Sequence, residues 1–154
     1  MIRSIIIDDL TPNRERFSHL LLSNFDNVAV IKATDNSLRA IHALRTHSPD
    51  LVFLHLTKPF VKGIQLLESA RDMQISVILT CEQEDIHAQY AVAVRAMRYN
   101  IIDFVSAPYD VYELGMAIRK VTKANKDKLS RSKQAVLAPE ANQKSKVLIR
   151  VEEI

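Results

Sequence analysis

The 154-residue chain reads as an α/β protein: a five-stranded parallel sheet with helices on both faces. Three observations predict this. Short β-branched runs alternate with helical apolar spacings. The links between them are only a few residues long, as in repeated strand–helix units. The third run is apolar throughout rather than alternating, which is how a strand buried on both faces reads.

Ile2 to Ile7 is a β-branched run closed by Asp8 and Asp9. Pro12 then opens a helical pattern in which Phe17, Leu20, Leu21 and Phe25 recur, since proline suits a first helical turn. Val28 to Ile31 is a second strand, and Thr34, Asp35 or Asn36 can cap the helix carrying Leu38, Ile41 and Leu44. Pro49-Asp50 turns the chain into Leu51-Val52-Phe53-Leu54, the central strand. Gly63 precedes a helix with Ile64, Leu66 and Leu67, and Ile75 to Leu79 is a fourth strand ending in Thr80. Ile86 to Met97 spaces Ala91, Val94 and Met97 along one side of a fourth helix. Ile101 to Val105 is the fifth strand, Ala107-Pro108 a turn, and Val111 to Val121 an amphipathic fifth helix.

Composition narrows the function. Hydrophobic residues at 47% and charged ones at 25% are ordinary for a globular fold. Two glycines, Gly63 and Gly115, exclude Walker loops and glycine-rich dinucleotide fingerprints, which need several. A single cysteine, Cys81, excludes a disulfide framework and a cysteine-built zinc site. No apolar run approaches the ~20 residues of a bilayer span, and the N-terminus reads as a strand rather than a signal peptide. The expectation is a soluble, cytoplasmic protein without membrane contact.

The net charge of +3 is unevenly placed. Residues 1–118 hold 11 Lys/Arg against 14 Asp/Glu, whereas residues 119–154 hold 10 against 4. The body is mildly acidic and the tail basic. Lys120 to Lys133 is rich in Lys, Ser and Asn and can continue the last helix until Pro139. Val147, Ile149 and Val151 then alternate with polar residues like a new strand. The expected organisation is a body over residues 1–122, a basic linker over 123–146 that starts as helix, and a strand over 147–154.

Ligands in open parallel sheets bind at the carboxyl ends of the strands. Those ends carry Asp8 and Asp9, then His55, then Thr80, then Ser106-Ala107-Pro108. A vicinal acidic pair can hold a hard divalent cation such as Mg²⁺; the plainer reading is that it ends a strand and caps a loop. His19, His42, His47 and His87 show no metal-ligand spacing. Cys81 reads as buried packing rather than a reactive thiol.

Taken together, residues 1–122 resemble the receiver domain of two-component response regulators. Ile5-Ile6-Ile7-Asp8-Asp9 is similar to its acidic pair, and Pro49 to Leu56 to its third strand. Pro59 and Gly63 to Leu67 match the following loop and helix, Thr80 its switch hydroxyl, and Asp103 to Tyr109 its last strand and proline turn. The resemblance implies a flavodoxin-like fold with strand order 2-1-3-4-5 and a signalling domain rather than an enzyme. Tyr90 to Asp103 is closer to the LytTR-type subgroup, whose output domain binds DNA, and Lys146 to Ile154 is similar to the opening strand of such a domain.

The departures concern chemistry. The family's phosphoacceptor is an aspartate, and His55 stands there; its phosphate-pairing lysine is Ala107. Cys81 follows the switch hydroxyl where alanine is usual, and Lys58 replaces the loop methionine. Aspartyl transfer needs the carboxylate, a metal and a cation for the transferred group, so a degenerate phosphorylation site is expected. With Asp8, Asp9 and His55 and no lysine, the pocket carries −2 with a neutral imidazole and −1 with an imidazolium. Either Asp8 and Asp9 retain weak Mg²⁺ binding, or a protonated His55 between the acids substitutes for the metal. No cofactor is required. Thr80 and Phe104 occupy the switch pair, with Phe104 equally readable as core.

Three functions compete. The first is a pseudo-receiver acting by protein interaction, as a homodimer through its fourth-helix, fifth-strand and fifth-helix face with Tyr90, Val94, Met97, Tyr109, Tyr112 and Met116. The second keeps phosphorelay through His55 with Mg²⁺ at Asp8 and Asp9 and a sensor kinase as partner. In the third, DNA is bound by the basic tail, salt-dependently, or by a C-terminal domain the sequence does not contain.

Overall fold

The computed structural model describes residues 1–85, 87, 90, 94, 95 and 98–137. The fourth helix expected over residues 86–97 therefore lies largely outside the described residues, as do Pro139 and the strand expected over 147–154. The chain divides into two compact units, Met1–Val121 and Thr122–Ile154.

The first unit runs β1 (Ile2–Ile7), α1 (Thr11–Asn24), β2 (Val28–Thr34), α2 (Leu38–His47), β3 (Leu51–His55), α3 (Val61–Ser69), β4 (Ser76–Glu82) and β5 (Ile101–Ala107). Single 3₁₀ turns follow α3 and β4. The last helix, α4 (Val111–Leu137), starts in this unit. All strand pairings are parallel, in the order β2-β1-β3-β4-β5. No described helix is long and apolar enough to cross a membrane.

Alternation along each strand sorts the core into two layers. On one face Ile5, Ile7, Val52, Leu54, Val77, Leu79 and Cys81 pack with Ala40, Ala43 and Leu44 of α2 and Leu66 and Leu67 of α3. On the other, Ile2, Ile6, Leu51, Phe53, Ile78 and Val105 pack with Phe17 and Leu21 of α1 and Leu114, Ala117, Ile118 and Val121 of α4. Gly63 lets α3 lie close to the chain leaving β3: a Cβ there would stand 2.6 Å from Leu56 Cδ2.

Several element ends differ from the sequence expectation. β2 continues through Thr34, so that residue is strand rather than cap. The α2 cap is Ser37, whose hydroxyl accepts from Arg39 N at 3.2 Å while donating to Asp35 Oδ1. β4 runs on to Glu82 and β5 to Ala107, because each keeps pairing with the other to their ends. The strand order reverses direction between β1 and β3, so the polar ends of those strands stand at the crevice of the sheet.

Ile78 is fully buried at the sheet centre, whereas Val94 is 72% exposed. Ile78→Ala is expected to lower unfolding stability by about 2–5 kcal/mol, and Val94→Ala by less than about 0.5 kcal/mol, read as urea midpoints.

Candidate functional site

His55 ends β3, and the sheet register sets it directly opposite Thr80 of β4. Its Nδ1 shares a hydrogen bond with Thr80 Oγ1 at 3.0 Å and stands 3.5 Å from the Tyr109 hydroxyl. The same nitrogen is 3.8 Å from Asp8 Oδ2, and Nε2 is 3.8 Å from Glu82 Oε1. Each ring nitrogen thus faces a carboxylate just beyond hydrogen-bond length.

Asp8 is buried, at 5% exposure. The turn into α1 holds it: Oδ1 accepts from Leu10 N at 3.0 Å, and its carbonyl accepts from the Arg14 guanidinium. Asp9 leaves the strand toward other partners. Its Oδ1 accepts from Asn36 N at 2.9 Å, and its Oδ2 lies 3.6 Å from Lys62 Nζ. The vicinal acids therefore serve two different loops.

Magnesium takes oxygen ligands in near-octahedral geometry at about 2.0–2.1 Å. The residue ending β3 supplies nitrogen instead, Asp9 is engaged elsewhere, and no three described His, Cys, Asp or Glu side chains gather as a metal cage. This donor set does not fit Mg²⁺ held by the pair together with the end of β3.

Behind the polar groups stands an aromatic wall. Phe17 of α1 packs edge-on against both Phe53, at 5.1 Å, and Tyr109, at 5.0 Å. Together with Asn13, Arg16 and Ala107, these residues line a cavity of about 170 Å³. Burial pushes the Tyr109 phenol up to about 12; hydrogen bonding with Thr80 opposes this, and the charges of Asp8 and Glu82 add to it.

The structure thus brings together Asp8, His55, Thr80 and Ala107, and directs Asp9 away from them. Phe104 packs with the opposite core layer, beside Leu79, its register partner. It shares no layer with Thr80, which follows the alternation of Ile78. Tyr109, expected on an outer face, turns into the cavity. Glu82 and the wall of Phe17 and Phe53 were not singled out from sequence. Period-two spacing from Thr80 points to Glu82 once β4 is known to extend that far. His19, His42 and His87 are exposed.

Residues 5–119 match the family model of the response regulator receiver domain. An uncharacterized response regulatory protein of Yersinia pestis is 27% identical over 125 residues, which are 80% of this chain and 49% of that protein. The Fimbriae Z protein of Salmonella typhimurium is 31% identical over 118 residues, 77% of this chain and 55% of its own length. Chemotaxis protein CheY of Bacillus subtilis is 27% identical over 120 residues, covering 95% of that protein. The chain spans about half the length of the first two.

Among solved structures, a LuxR-family two-component response regulator from Aurantimonas superposes with a TM-score of 0.68 at 23% identity, over 80% of this chain and 86% of that one. The response regulatory domain of mrkE from Klebsiella pneumoniae gives 0.65 at 19%, over 82% and 99%. These two likenesses show the fold. The chain belongs to the response regulator receiver domain family.

Tyr109 keeps its proton in the folded state to about pH 12, whereas an unfolded tyrosine releases it near pH ~10. Its contribution is complete below pH ~10 and is lost as pH rises toward ~12. Stability should fall there by about 1.4 kcal/mol per pH unit from this group. Tyr109→Phe should remove that component of the slope in alkaline urea titrations.

Proposed function

We propose that this receiver domain is an atypical one that works without aspartyl phosphorylation and signals by protein–protein contact. The observation that carries this reading is His55 at the end of β3, where the family resemblance sets the phosphoacceptor aspartate. An imidazole cannot form an acyl phosphate. Ala107 offers no cation to a transferred phosphoryl group, and a metal at the acidic pair would meet a nitrogen ligand in place of a carboxylate. The Thr80 hydroxyl already bonds to His55 Nδ1, so it is engaged without any phosphate.

The contact surface we assign flanks β5. Tyr90 at 67%, Val94 at 72%, Tyr112 at 70% and Met116 at 42% are exposed apolar side chains, with Tyr112 and Met116 one helical turn apart on α4. Tyrosine and methionine are enriched at interfaces, and the occupant we assign is a second copy of the chain. Met97 lies outside the described residues, and Tyr109, turned into the cavity, leaves this set. A basic linker over 123–146 leading to a LytTR-type DNA-binding output over 147–154 and beyond is the matching reading of the tail. What supports an output region is that the Yersinia and Salmonella relatives are about twice as long as the part matched.

Incubation with acetyl phosphate and Mg²⁺ should add no phosphoryl mass to the wild-type chain. A double variant, His55→Asp with Ala107→Lys, should gain a base-labile phosphoryl group; stable phosphate on wild type, acid-labile as phosphohistidine is, would sink the reading. In sedimentation, Tyr112→Lys should weaken self-association by about tenfold or more, matching a loss of about 1.4 kcal/mol.

A further inference from the structure

The cavity around His55 is larger than its polar groups need. At about 170 Å³ it exceeds the ~150 Å³ that accommodates a benzene ring in an apolar protein interior. Its walls combine two kinds of surface. Phe17, Phe53 and Tyr109 form an edge-packed aromatic cluster, and Asp8 and Glu82 stand on either side of the imidazole.

Charge selects the class of occupant. Asp8 and Glu82 against Arg16 leave the lining at −1 with a neutral imidazole, which disfavours an anion and suits a monocation. The 3.8 Å gaps from His55 to Asp8 Oδ2 and Glu82 Oε1 are too long to use up those oxygens as acceptors. An ammonium group brings three donors. Aromatic rings and carboxylates lining one cavity suit a cation carried on an apolar body.

We propose that this cavity binds a small organic ammonium: a primary amine on a ring or short alkyl chain. The proposal rests on the reading that aspartyl phosphotransfer has left the pocket, and it supplies the input that reading lacks. The occupant would lie against Tyr109, two residues before the start of α4. Ligand in the cavity would therefore bear on the turn that launches the helix.

The probe is benzylammonium chloride, titrated into the full chain and followed by ¹H–¹⁵N chemical shifts. Saturable shifts are expected at the amides of Asp8, His55, Thr80 and Tyr109. Benzyl alcohol should bind about tenfold more weakly, having lost the charge-assisted contacts, and benzoate should not bind. Ala107 lines the cavity, so Ala107→Lys should fill it with an internal ammonium and abolish binding. Should that variant not fold, Glu82→Gln, at a half-exposed strand end, should weaken binding about tenfold.

Equal affinity for amine and alcohol, or shifts confined to other residues, would overturn the proposal. So would tighter binding of Nα-acetyl-lysine amide, which would assign the site to a protein lysine. Phosphoryl incorporation by wild type would instead strike the reading beneath it, while absent amine binding in an unphosphorylated chain strikes the ligand alone.

Discussion

The parallel pairing of β3 with β1 on one side and β4 on the other is the constraint from which the rest follows. Ile7 sits opposite Leu54, and His55 opposite Thr80. That register fixes which side chains meet at the crevice. A slip of one residue would send His55 and Thr80 to the layer of Leu54 and Leu79 and expose the core set of each strand. The two apolar layers hold the register, because Ile6, Phe53 and Ile78 fill one and Ile7, Leu54 and Leu79 the other. The polar site is thus positioned by hydrophobic alternation rather than by its own hydrogen bonds.

Much of this was legible from sequence because parallel strands buried on both faces leave an unambiguous signal. Leu51 to Leu54 could be little else, and the five runs in order specified the sheet. The strand ends were harder. Thr34 was readable as a helix cap, and Glu82 and Ala107 are residues that strand propensity disfavours, but neighbouring strands keep offering hydrogen-bond partners, and pairing overrides preference. Glu82 escaped notice for that reason. Tyr109 escaped for another: an aromatic after a proline turn reads equally as surface or core, and only the position of Phe17 decides.

The site's chemistry was partly readable for a related reason. Identity at a position is visible in sequence, so His55 and Ala107 can be read at once where the resemblance would set a carboxylate and a lysine. Direction is not visible. Asp8 and Asp9 are adjacent in the chain, yet one meets the imidazole while the other meets the backbone of Asn36. Treating neighbours as a pair neglects that successive side chains leave an extended backbone on opposite sides. Likewise His55 Nδ1 meets the hydroxyls of Thr80 and Tyr109, on the sheet face away from Phe104.

The parting of those two acids has a consequence for how such a domain responds to substitution. Asp9 ties the segment before α2 to the start of α3, so its replacement would be felt as lost stability whatever reaction the crevice performs. Asp8 and His55 face a cavity lined by β1 and β3 themselves and by Phe17, Thr80, Glu82 and Tyr109, and neither side chain belongs to the two apolar layers of the core. Asp9 thus serves the scaffold alone, while its neighbour Asp8 serves both the turn into α1 and the crevice, and His55 the crevice. An exchange at the end of β3 therefore changes what the crevice presents while both apolar layers stay filled.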